Sequence, residues 1–152
     1  MLTLFLGFKC NLRCRYCYET EKNKAFSFGE IKNVIDSFDS SLKEIEILGG
    51  EPFYDFKLFK NVFNYLIEKG FETIIVSTNG TLLNDEIIVF LKTNSNFLKL
   101  FVSFDGDKFS NQLRVFQNQK GSFDVVLFNI KKLLENKIDF IVHSVLHLLN
   151  IA

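Results

Sequence analysis

Three cysteines stand close together near the start of the chain, and they are the residues best suited to chemistry. Cys10, Cys14 and Cys17 follow the spacing C-x3-C-x2-C, and the 152-residue sequence contains no other cysteine. A loop of this length can curl three thiolates around one iron–sulfur cluster. Such clusters are usually held by four cysteine thiolates. With three, one iron must take a ligand from outside the chain, so we expect a small molecule to bind there.

Zinc sites and simple electron-transfer sites also use closely spaced cysteines. A structural zinc ion needs a fourth ligand, and the two histidines, His143 and His147, are distant from the cysteines in sequence. His143 falls in an apolar strand-like segment, where a core or barrel-lining position suits it better than ligation. A ferredoxin-type cluster needs a fourth cysteine. Both alternatives stay open, but a cluster with an open iron accounts for three cysteines more fully.

The rest of the chain alternates short apolar runs with longer amphipathic stretches. This pattern predicts strands over 3–8, 44–48, 73–77, 98–104 and 138–146, and helices over 27–38, 56–69, 84–92 and 122–136. Ser27 and Glu30 are typical of a capping box, and Ser122 of an N-cap. Strands alternating with helices indicate a parallel sheet with right-handed crossovers. Either a partial (βα) barrel or an open doubly wound sheet fits this α/β order.

Polar and glycine-containing motifs follow four of the predicted strands. The cysteines follow the first strand, Gly49-Gly50-Glu51-Pro52 the second, Thr78-Asn79-Gly80 the third and Asp105-Gly106 the fourth. Both parallel architectures bind ligands at the carboxyl ends of their strands. The sequence therefore predicts one site, built from four neighbouring loops.

Composition narrows the classes of partner. The formal net charge is zero, with 18 basic and 18 acidic residues, so nothing indicates nucleic-acid binding. The N-terminal apolar run is too short to cross a bilayer and lacks the features of a signal peptide, which predicts a cytoplasmic location and no membrane attachment. The 19 phenylalanines are expected to fill the core.

The motifs CNLRCRYCY, GGEP, STNGTLL and SFDG, in this order after successive strands, resemble the radical S-adenosylmethionine (SAM) superfamily. In detail they are similar to its peptide- and protein-modifying branch, which includes the anaerobic sulfatase-maturing enzymes. Residues 121–135 resemble the fourth helix of that branch. The resemblance covers essentially the whole chain and implies a radical SAM core domain over 1–152, with a 4Fe–4S cluster on the three cysteines.

The resemblance also implies a mechanism. In that family SAM chelates the open iron through its amino and carboxylate groups, and one electron cleaves a carbon–sulfur bond of the sulfonium. The resulting 5′-deoxyadenosyl radical abstracts a hydrogen atom, here expected from a peptide or protein. A flavodoxin- or ferredoxin-type protein is the expected low-potential electron donor. The protein supplies binding, orientation and exclusion of water.

The loop after the second predicted strand has features that suit SAM. Gly49 and Gly50 allow the backbone to approach a ligand closely. Glu51 is available as an anionic partner for the SAM ammonium, and Pro52 stiffens the turn. A plain strand-end turn is the alternative, although it requires neither Glu nor Pro at these positions.

Other candidate side chains lie in the first and third loops. Tyr16 resembles the family's aromatic residue near the adenine. Thr78 and Asn79 either line the SAM pocket or simply form a turn, since Asn-Gly is common in turns. Arg13 and Arg15 can offset the negative charge of the cluster, or they are solvated charges of the loop.

Three further candidates belong to the fourth strand and the segment after it. Ser103 is expected to point into the barrel, if Phe104 points out, and to bond the ribose. Asp105 is the candidate catalytic residue, a carboxylate at the barrel mouth for ribose or substrate contact. Arg114 resembles the arginine that pairs with the SAM carboxylate, a bidentate role suited to a guanidinium; a surface position is the alternative.

The sequence also departs from the family pattern. The family core usually has six strands, so we expect this domain to be incomplete at its C-terminus. Auxiliary clusters need further cysteines, which are absent, and Ser110-Asn111 replaces a His-Asp-like pair. Two alternatives to an active enzyme follow: a cluster- and SAM-binding module without turnover, or a nonfunctional truncated product.

Overall fold

The fold is seen in a computed structural model that describes residues 2–39 and 41–148. Its strands are β1 (Leu2–Phe5), β2 (Glu44–Leu48), β3 (Thr73–Thr78), β4 (Leu98–Ser103) and β5 (Phe140–His143). Its α-helices are α1 (Phe28–Asp36), α2 (Phe56–Glu68), α3 (Asp85–Thr93) and α4 (Phe123–Glu135). Two short 3-10 helices follow β2 and β4, at Pro52–Asp55 and Ser110–Leu113. Every predicted helix and strand is therefore present, with shifted ends.

The five strands form one parallel sheet in the order β1-β2-β3-β4-β5. A doubly wound sheet reverses its strand order at a switch point, and this order has no reversal. Right-handed crossovers between successive strands therefore bring all four helices to one face, and buried residues of each helix join the same core cluster. The architecture is a partial (βα) barrel, so the doubly wound alternative is wrong.

The two faces of the sheet differ in polarity. Ile45 and Ile47 of β2 are fully buried against the helices, whereas their neighbours Glu44 and Glu46 are only partly buried. Because successive side chains of a strand point to opposite faces, the glutamates lie on the face without helices. We call this the open face and define it by the residues that share it in the strand register, which are Thr3, Phe5, Glu44, Glu46, Leu48, Ile75, Ser77, Lys99 and Phe101.

Phenylalanines fill much of the helical side, as predicted. The ring of Phe59, in α2, lies 4.9–6.0 Å from the rings of Phe53, Phe56, Phe63 and Phe90, measured between centroids. Two of these four pairs, those with Phe53 and Phe90, are edge-to-face, an arrangement that aromatic rings favour. This cluster joins α2 to α3 and to the 3-10 helix after β2, and it supports the loop that carries Glu51.

The helix caps agree with the sequence in one case and differ in another. Ser27 and Glu30 form the predicted capping box, with reciprocal bonds between side chains and backbone. Ser122 occupies the N-cap position of α4, but its side chain makes no capping bond. Its backbone is already helical, and its hydroxyl accepts from the Asn111 side chain at 3.4 Å instead. The capping role predicted for Ser122 is therefore wrong.

Strand β5 is shorter than the predicted 138–146. Ile138 still belongs to the turn after α4, since its N–H donates to the Leu133 carbonyl at 3.0 Å. After His143 the chain leaves the sheet, and the Ser144 hydroxyl bonds the Phe104 carbonyl at 2.7 Å. His143 itself is exposed, with its ring centroid 4.3 Å from that of Phe101. Of the two expected positions, core and barrel-lining, the core position is wrong, because β5 is an edge of the described sheet. His143 pairs with Ser103 and lies on the open face with Phe101, which agrees with the barrel-lining position.

None of the helices among residues 2–39 and 41–148 combines the length and the apolar character that a bilayer-spanning segment requires.

Candidate functional site

One cavity lies at the carboxyl ends of the strands and collects most of the predicted site residues. Its volume is about 380 Å³, and Cys10, Cys14 and Cys17 all line it. The other predicted residues in its wall are Tyr16, Gly49, Gly50, Thr78, Asn79, Ser103 and Arg114. The loops after four parallel strands therefore meet as the sequence predicted.

The backbone of the cysteine loop, residues 9–17, is fixed by the segment that follows the second 3-10 helix. The N–H of Arg13 donates to the Val115 carbonyl at 2.7 Å, and that of Arg15 to the Leu113 carbonyl at 2.9 Å. Leu12, which directly precedes Arg13, is buried with an exposed fraction of 1%. This buried anchor holds the intervening Cys14 at the cavity.

The three thiols are free, half-buried and suited to a cluster. The N–H of Leu12 and the side-chain amide of Asn79 point to the Cys10 sulfur, at 3.3 and 3.7 Å. Hydrogen bonds to sulfur and burial are two means by which proteins tune iron–sulfur clusters. Burial raises the pKa of the Cys10 thiol to about 11 and also raises the pKa of Cys14.

The same geometry does not favour a single metal ion. In the part of the chain that the structure describes, no three Cys, His, Asp or Glu side chains converge closely enough to hold one ion. A zinc site needs such convergence. The thiolates of a 4Fe–4S cluster bind separate irons and therefore need only surround a common space. The cysteine loop and the cavity beside it fit that requirement.

Gly49 and Gly50 are required by the chain itself. A Cβ on Gly50 would lie 2.3 Å from the carbonyl oxygen of Phe8 and 2.4 Å from that of Lys9; one on Gly49 would lie 2.7 Å from the Gly7 oxygen. Real side chains do not approach a backbone oxygen so closely. The two glycines therefore let the loop after β2 pack against the start of the cysteine loop, and they also line the cavity.

Glu51 is placed differently from the position that the sequence suggested. Its carboxylate accepts from the N–H of Phe53 (3.1 Å), the hydroxyl of Thr78 (2.7 Å) and the N–H of Asn79 (2.7 Å). The residue is buried, and burial raises its pKa. Glu51 and the buried Pro52 line a separate cavity of about 260 Å³. Glu51 thus joins the loops after β2 and β3, and it does so outside the cavity that the cysteines line.

The turn after β3 both shapes the chain and lines the cavity. Asn79 accepts from the N–H of Thr81 at 2.9 Å, and its side-chain amide donates to Asn11 at 3.0 Å. Gly80 has a φ of +74°, a conformation that favours glycine. Because Thr78 and Asn79 also face the cavity, the two interpretations of this motif, turn and pocket wall, are both satisfied.

Asp105 forms a buried group with Tyr16 and Arg114. Its Oδ2 accepts from the Tyr16 hydroxyl at 2.5 Å and from Arg114 Nε at 3.0 Å, while Oδ1 accepts from the Val145 N–H at 3.0 Å. The Asp105 side chain has no exposed surface. Burial and the bond to Asp105 raise the pKa of Tyr16, which keeps its hydroxyl protonated as a donor.

Arg114 is buried, with an exposed fraction of 6%, so the surface alternative is wrong. It lines the cavity, and its guanidinium carbon lies 5.5 Å from the centre of the Tyr16 ring. Ser103 lines the cavity too, while Phe104 packs on the helical side against Phe123. Both orientations match the alternation expected along β4.

The arginines of the cysteine loop differ in environment. Arg13 Nη1 donates to the carbonyls of Cys10 (2.7 Å) and Leu12 (2.9 Å), which stabilises the loop backbone. Arg15 is exposed. Lys22, which the sequence reasoning missed, lines the cavity and lowers the pKa of Cys10 and Cys14 against the larger effect of burial. No spacing rule marks Lys22, because it lies on an irregular segment.

Residues 4–151 match the sequence model of the Radical SAM superfamily. A GTP 3′,8-cyclase of Clostridium perfringens is 33% identical over 99% of this chain and 51% of its own length. A cysteine-type anaerobic sulfatase-maturating enzyme of Clostridium novyi is 32% identical over 91% of this chain and 41% of its own. The solved structure of anSMEcpe with bound AdoMet and a peptide gives a TM-score of 0.71 at 22% identity, covering 94% of this chain and 42% of that one. The chain spans about half the length, or less, of these relatives.

Proposed function

Because the chain belongs to the radical SAM superfamily, whose members use a 4Fe–4S cluster and SAM, we propose that it binds both in the cavity beside Cys10, Cys14 and Cys17. The proposed activity is hydrogen abstraction from a peptide or protein. One observation carries it: three half-buried thiols line one cavity in a chain without a fourth cysteine. The open iron that this implies is the feature that separates SAM chemistry from simple electron transfer.

When bound, the cluster and SAM supply reductive cleavage of a carbon–sulfur bond and a 5′-deoxyadenosyl radical that abstracts hydrogen. The electron is proposed to come from a flavodoxin- or ferredoxin-type donor. The chain's own residues bind and orient SAM. Gly49, Gly50, Thr78 and Asn79 form the cavity wall beside the cysteines, where backbone groups can pair with the SAM ammonium.

Arg114 is the proposed partner of the SAM carboxylate. Its Nε is committed to Asp105, which leaves the four N–H donors of its terminal nitrogens for a ligand. A guanidinium with one edge fixed presents its other edge in a defined plane, and such geometry suits bidentate carboxylate binding. Tyr16, held by the same carboxylate, is the proposed neighbour of the adenine, and Ser103 of the ribose.

Asp105 is proposed to act through Arg114 and Tyr16. Both of its oxygens accept hydrogen bonds, and its side chain is completely buried. A carboxylate in this position fixes two cavity residues at once and has no exposed surface for direct contact with substrate. Glu51 is proposed to hold the β2 and β3 loops together for the same reason. Asp105 is therefore a positioning residue in this account.

The peptide or protein substrate is supported by the names of the relatives. A sulfatase-maturating enzyme is among the sequence relatives, and a solved neighbour contains a bound peptide. The relative named GTP 3′,8-cyclase points to a different class of substrate. The helices leave the open face of the partial barrel uncovered, so the charges on that face bear on which class of substrate binds.

The test is the release of 5′-deoxyadenosine from SAM. We expect the anaerobically reconstituted chain to release it under dithionite, and Cys14→Ala to release none. A substitution at an exposed position far from the cavity, Asn96→Ala, serves as the control and should match the parent. SAM binding without cleavage in the parent would instead identify a binding module, and the proposed activity would be rejected.

A further inference from the structure

Glu46 occupies an unusual position for a charged residue. It lies within β2, paired on one side with Thr3 of β1 and on the other with Ile75 of β3. Strands in the interior of parallel sheets are usually apolar on both faces. Here the alternation Glu44-Ile45-Glu46-Ile47 places isoleucines in the core and glutamates on the open face. Glu46 therefore presents a carboxylate on the open face, between Thr3 and the apolar Ile75.

The charge of Glu46 is not balanced within the described chain. Its carboxylate accepts from the Ser77 hydroxyl at 3.0 Å and, weakly, from the Thr3 hydroxyl at 3.5 Å. Its neighbour Glu44 has a cation, Lys99, at 3.4 Å. Among the described residues, 2–39 and 41–148, no Lys, Arg or His group lies within 4.0 Å of the Glu46 carboxylate. These two neutral hydroxyls donate to the carboxylate but leave its negative charge without a counter-ion.

Glu46 adjoins the cavity of the cysteines. Ser77, which donates to it, lines that cavity, and so does Leu48, two residues further along the same face of β2. A ligand that extends from the cavity onto the open face therefore meets Glu46 directly after the wall residues.

We propose that Glu46 binds a cationic group of the substrate, the ammonium or guanidinium of a lysine or arginine side chain, on the open face beside the cavity. The proposal rests on the function proposed above and narrows its substrate class to peptides with a basic residue near the reacting position. A half-buried carboxylate without a counter-ion is stabilised when a cation reaches it. A nucleoside triphosphate would bring like charge to this position and is disfavoured.

The substitution Glu46→Gln separates charge from shape. Glutamine keeps an oxygen to accept from Ser77, so the strand should remain folded, and thermal unfolding of the variant checks this. Glu44→Gln is the matched control: it removes a carboxylate from the same strand and face, but one that already has Lys99 as its partner.

The probe is a randomised dodecapeptide library, displayed and selected anaerobically on the reconstituted chain with SAM. We expect selected peptides to be enriched in Lys or Arg at one position, and a selected peptide to bind Glu46→Gln at least tenfold more weakly by fluorescence anisotropy. Replacing its basic residue by norleucine should cause the same loss in the parent and no further loss in Glu46→Gln. Glu44→Gln should bind like the parent.

The inference is overturned if no peptide is selected, if selected peptides lack a basic residue, or if they bind Glu46→Gln and the parent equally. Release of 5′-deoxyadenosine by the parent, measured without any peptide, keeps the two levels apart. If it is absent, the proposed function fails. If it is present while the charge preference is absent, only the role of Glu46 is rejected.

Discussion

The hydroxyl of Tyr16 donates to Asp105 Oδ2 at 2.5 Å, across 89 residues of sequence. Arg114 Nε donates to the same oxygen at 3.0 Å. One buried carboxylate thus ties the cysteine loop to the segment after β4 and fixes a guanidinium at the cavity wall. The relationship gives each of the three residues a separable experimental consequence.

Tyr16→Phe removes one donor from this group and leaves the ring. A hydrogen bond to a charged acceptor is worth roughly 1.5–3 kcal/mol when buried, and Tyr16 is half-buried, so we expect the free energy of unfolding to fall by about 1–2 kcal/mol. Denaturant titration measures it. Tyr18→Phe is the control, since Tyr18 is 77% exposed and should change nothing. Equal effects in both variants would mean that the Asp105 bond contributes no stability.

Asp105→Asn leaves Arg114 as a buried cation without its counter-ion. Breaking a buried pair in this way typically costs about 3–5 kcal/mol, and we expect a loss of unfolding free energy in that range. The exposed pair partner Asp124 provides the comparison, because Asp124→Asn breaks only a solvent-exposed ion pair. An Asp105→Asn variant as stable as the parent would contradict the buried pair.

Further substitutions at Arg114 and Asp105 test whether Asp105 positions Arg114 for SAM binding. Arg114→Lys keeps the charge but loses the second edge of the guanidinium, so we expect at least tenfold weaker SAM binding by equilibrium dialysis. Asp105→Glu, which retains the charge, should recover part of the affinity that Asp105→Asn loses. If Arg114→Lys binds SAM as tightly as the parent, the carboxylate lies elsewhere in the cavity.

Gly50→Ala and Gly29→Ala should change the free energy of unfolding in opposite directions. A Cβ on Gly50 would lie 2.3 Å from a backbone oxygen, so the loop after β2 must move away from the cysteine loop. We expect a loss of about 1–3 kcal/mol together with lower iron content after reconstitution. Gly29 lies in α1, and a Cβ added there would have no other atom within 4 Å. Alanine at this position should raise the free energy of unfolding by about 0.4–1 kcal/mol. Equal iron retention in both variants would refute the close approach as a requirement for the site.

Glu51→Gln tests the bond between the β2 and β3 loops. Glutamine can accept from Phe53 and Thr78 but faces the Asn79 N–H with its own donors, which leaves a buried donor unsatisfied at a cost of about 1–3 kcal/mol. Hydrogen exchange at Asn79 should accelerate accordingly. The exposed Glu68→Gln is the control. Unchanged exchange at Asn79 would show that Glu51 does not hold that turn.

The sheet was predictable because its information is local. The alternation along 44–48 and the β-branched run of 73–77 mark strands without reference to any partner. The order of the strands depends on contacts between segments that are distant in sequence. Both a partial barrel and a doubly wound sheet therefore fitted the same pattern. The ends of β5 were missed because apolar residues occur on both sides of it, at Ile138 and Leu146. The turn bond from Ile138 to Leu133 and the bond from Ser144 to the distant Phe104 delimit the strand, and neither is visible in the apolar pattern.

The candidate site, like the sheet, was predictable from the sequence only in part. Parallel strands carry their loops to one edge, so the cysteines, Gly49, Gly50, Thr78, Asn79 and Ser103 could be grouped from the strand pattern. Arg114 was expected there only from its resemblance to the family's arginine. The direction of a side chain in a loop follows no period, which is why the sequence did not indicate that the Glu51 carboxylate bonds Thr78 and Asn79 and lines a separate cavity. The Tyr16–Asp105 bond joins positions that no local pattern relates.

In the proposed site, Cys10, Cys14 and Cys17 bind three irons of the cluster and leave the fourth iron open to SAM. The most direct measurement is the EPR spectrum of the reduced, anaerobically reconstituted chain, recorded with and without SAM. We expect SAM to alter the spectrum of the cluster, and Cys14→Ala, which removes one ligand, to retain less iron than the parent. An identical spectrum with and without SAM, in a sample that holds its full iron content, would contradict this expectation.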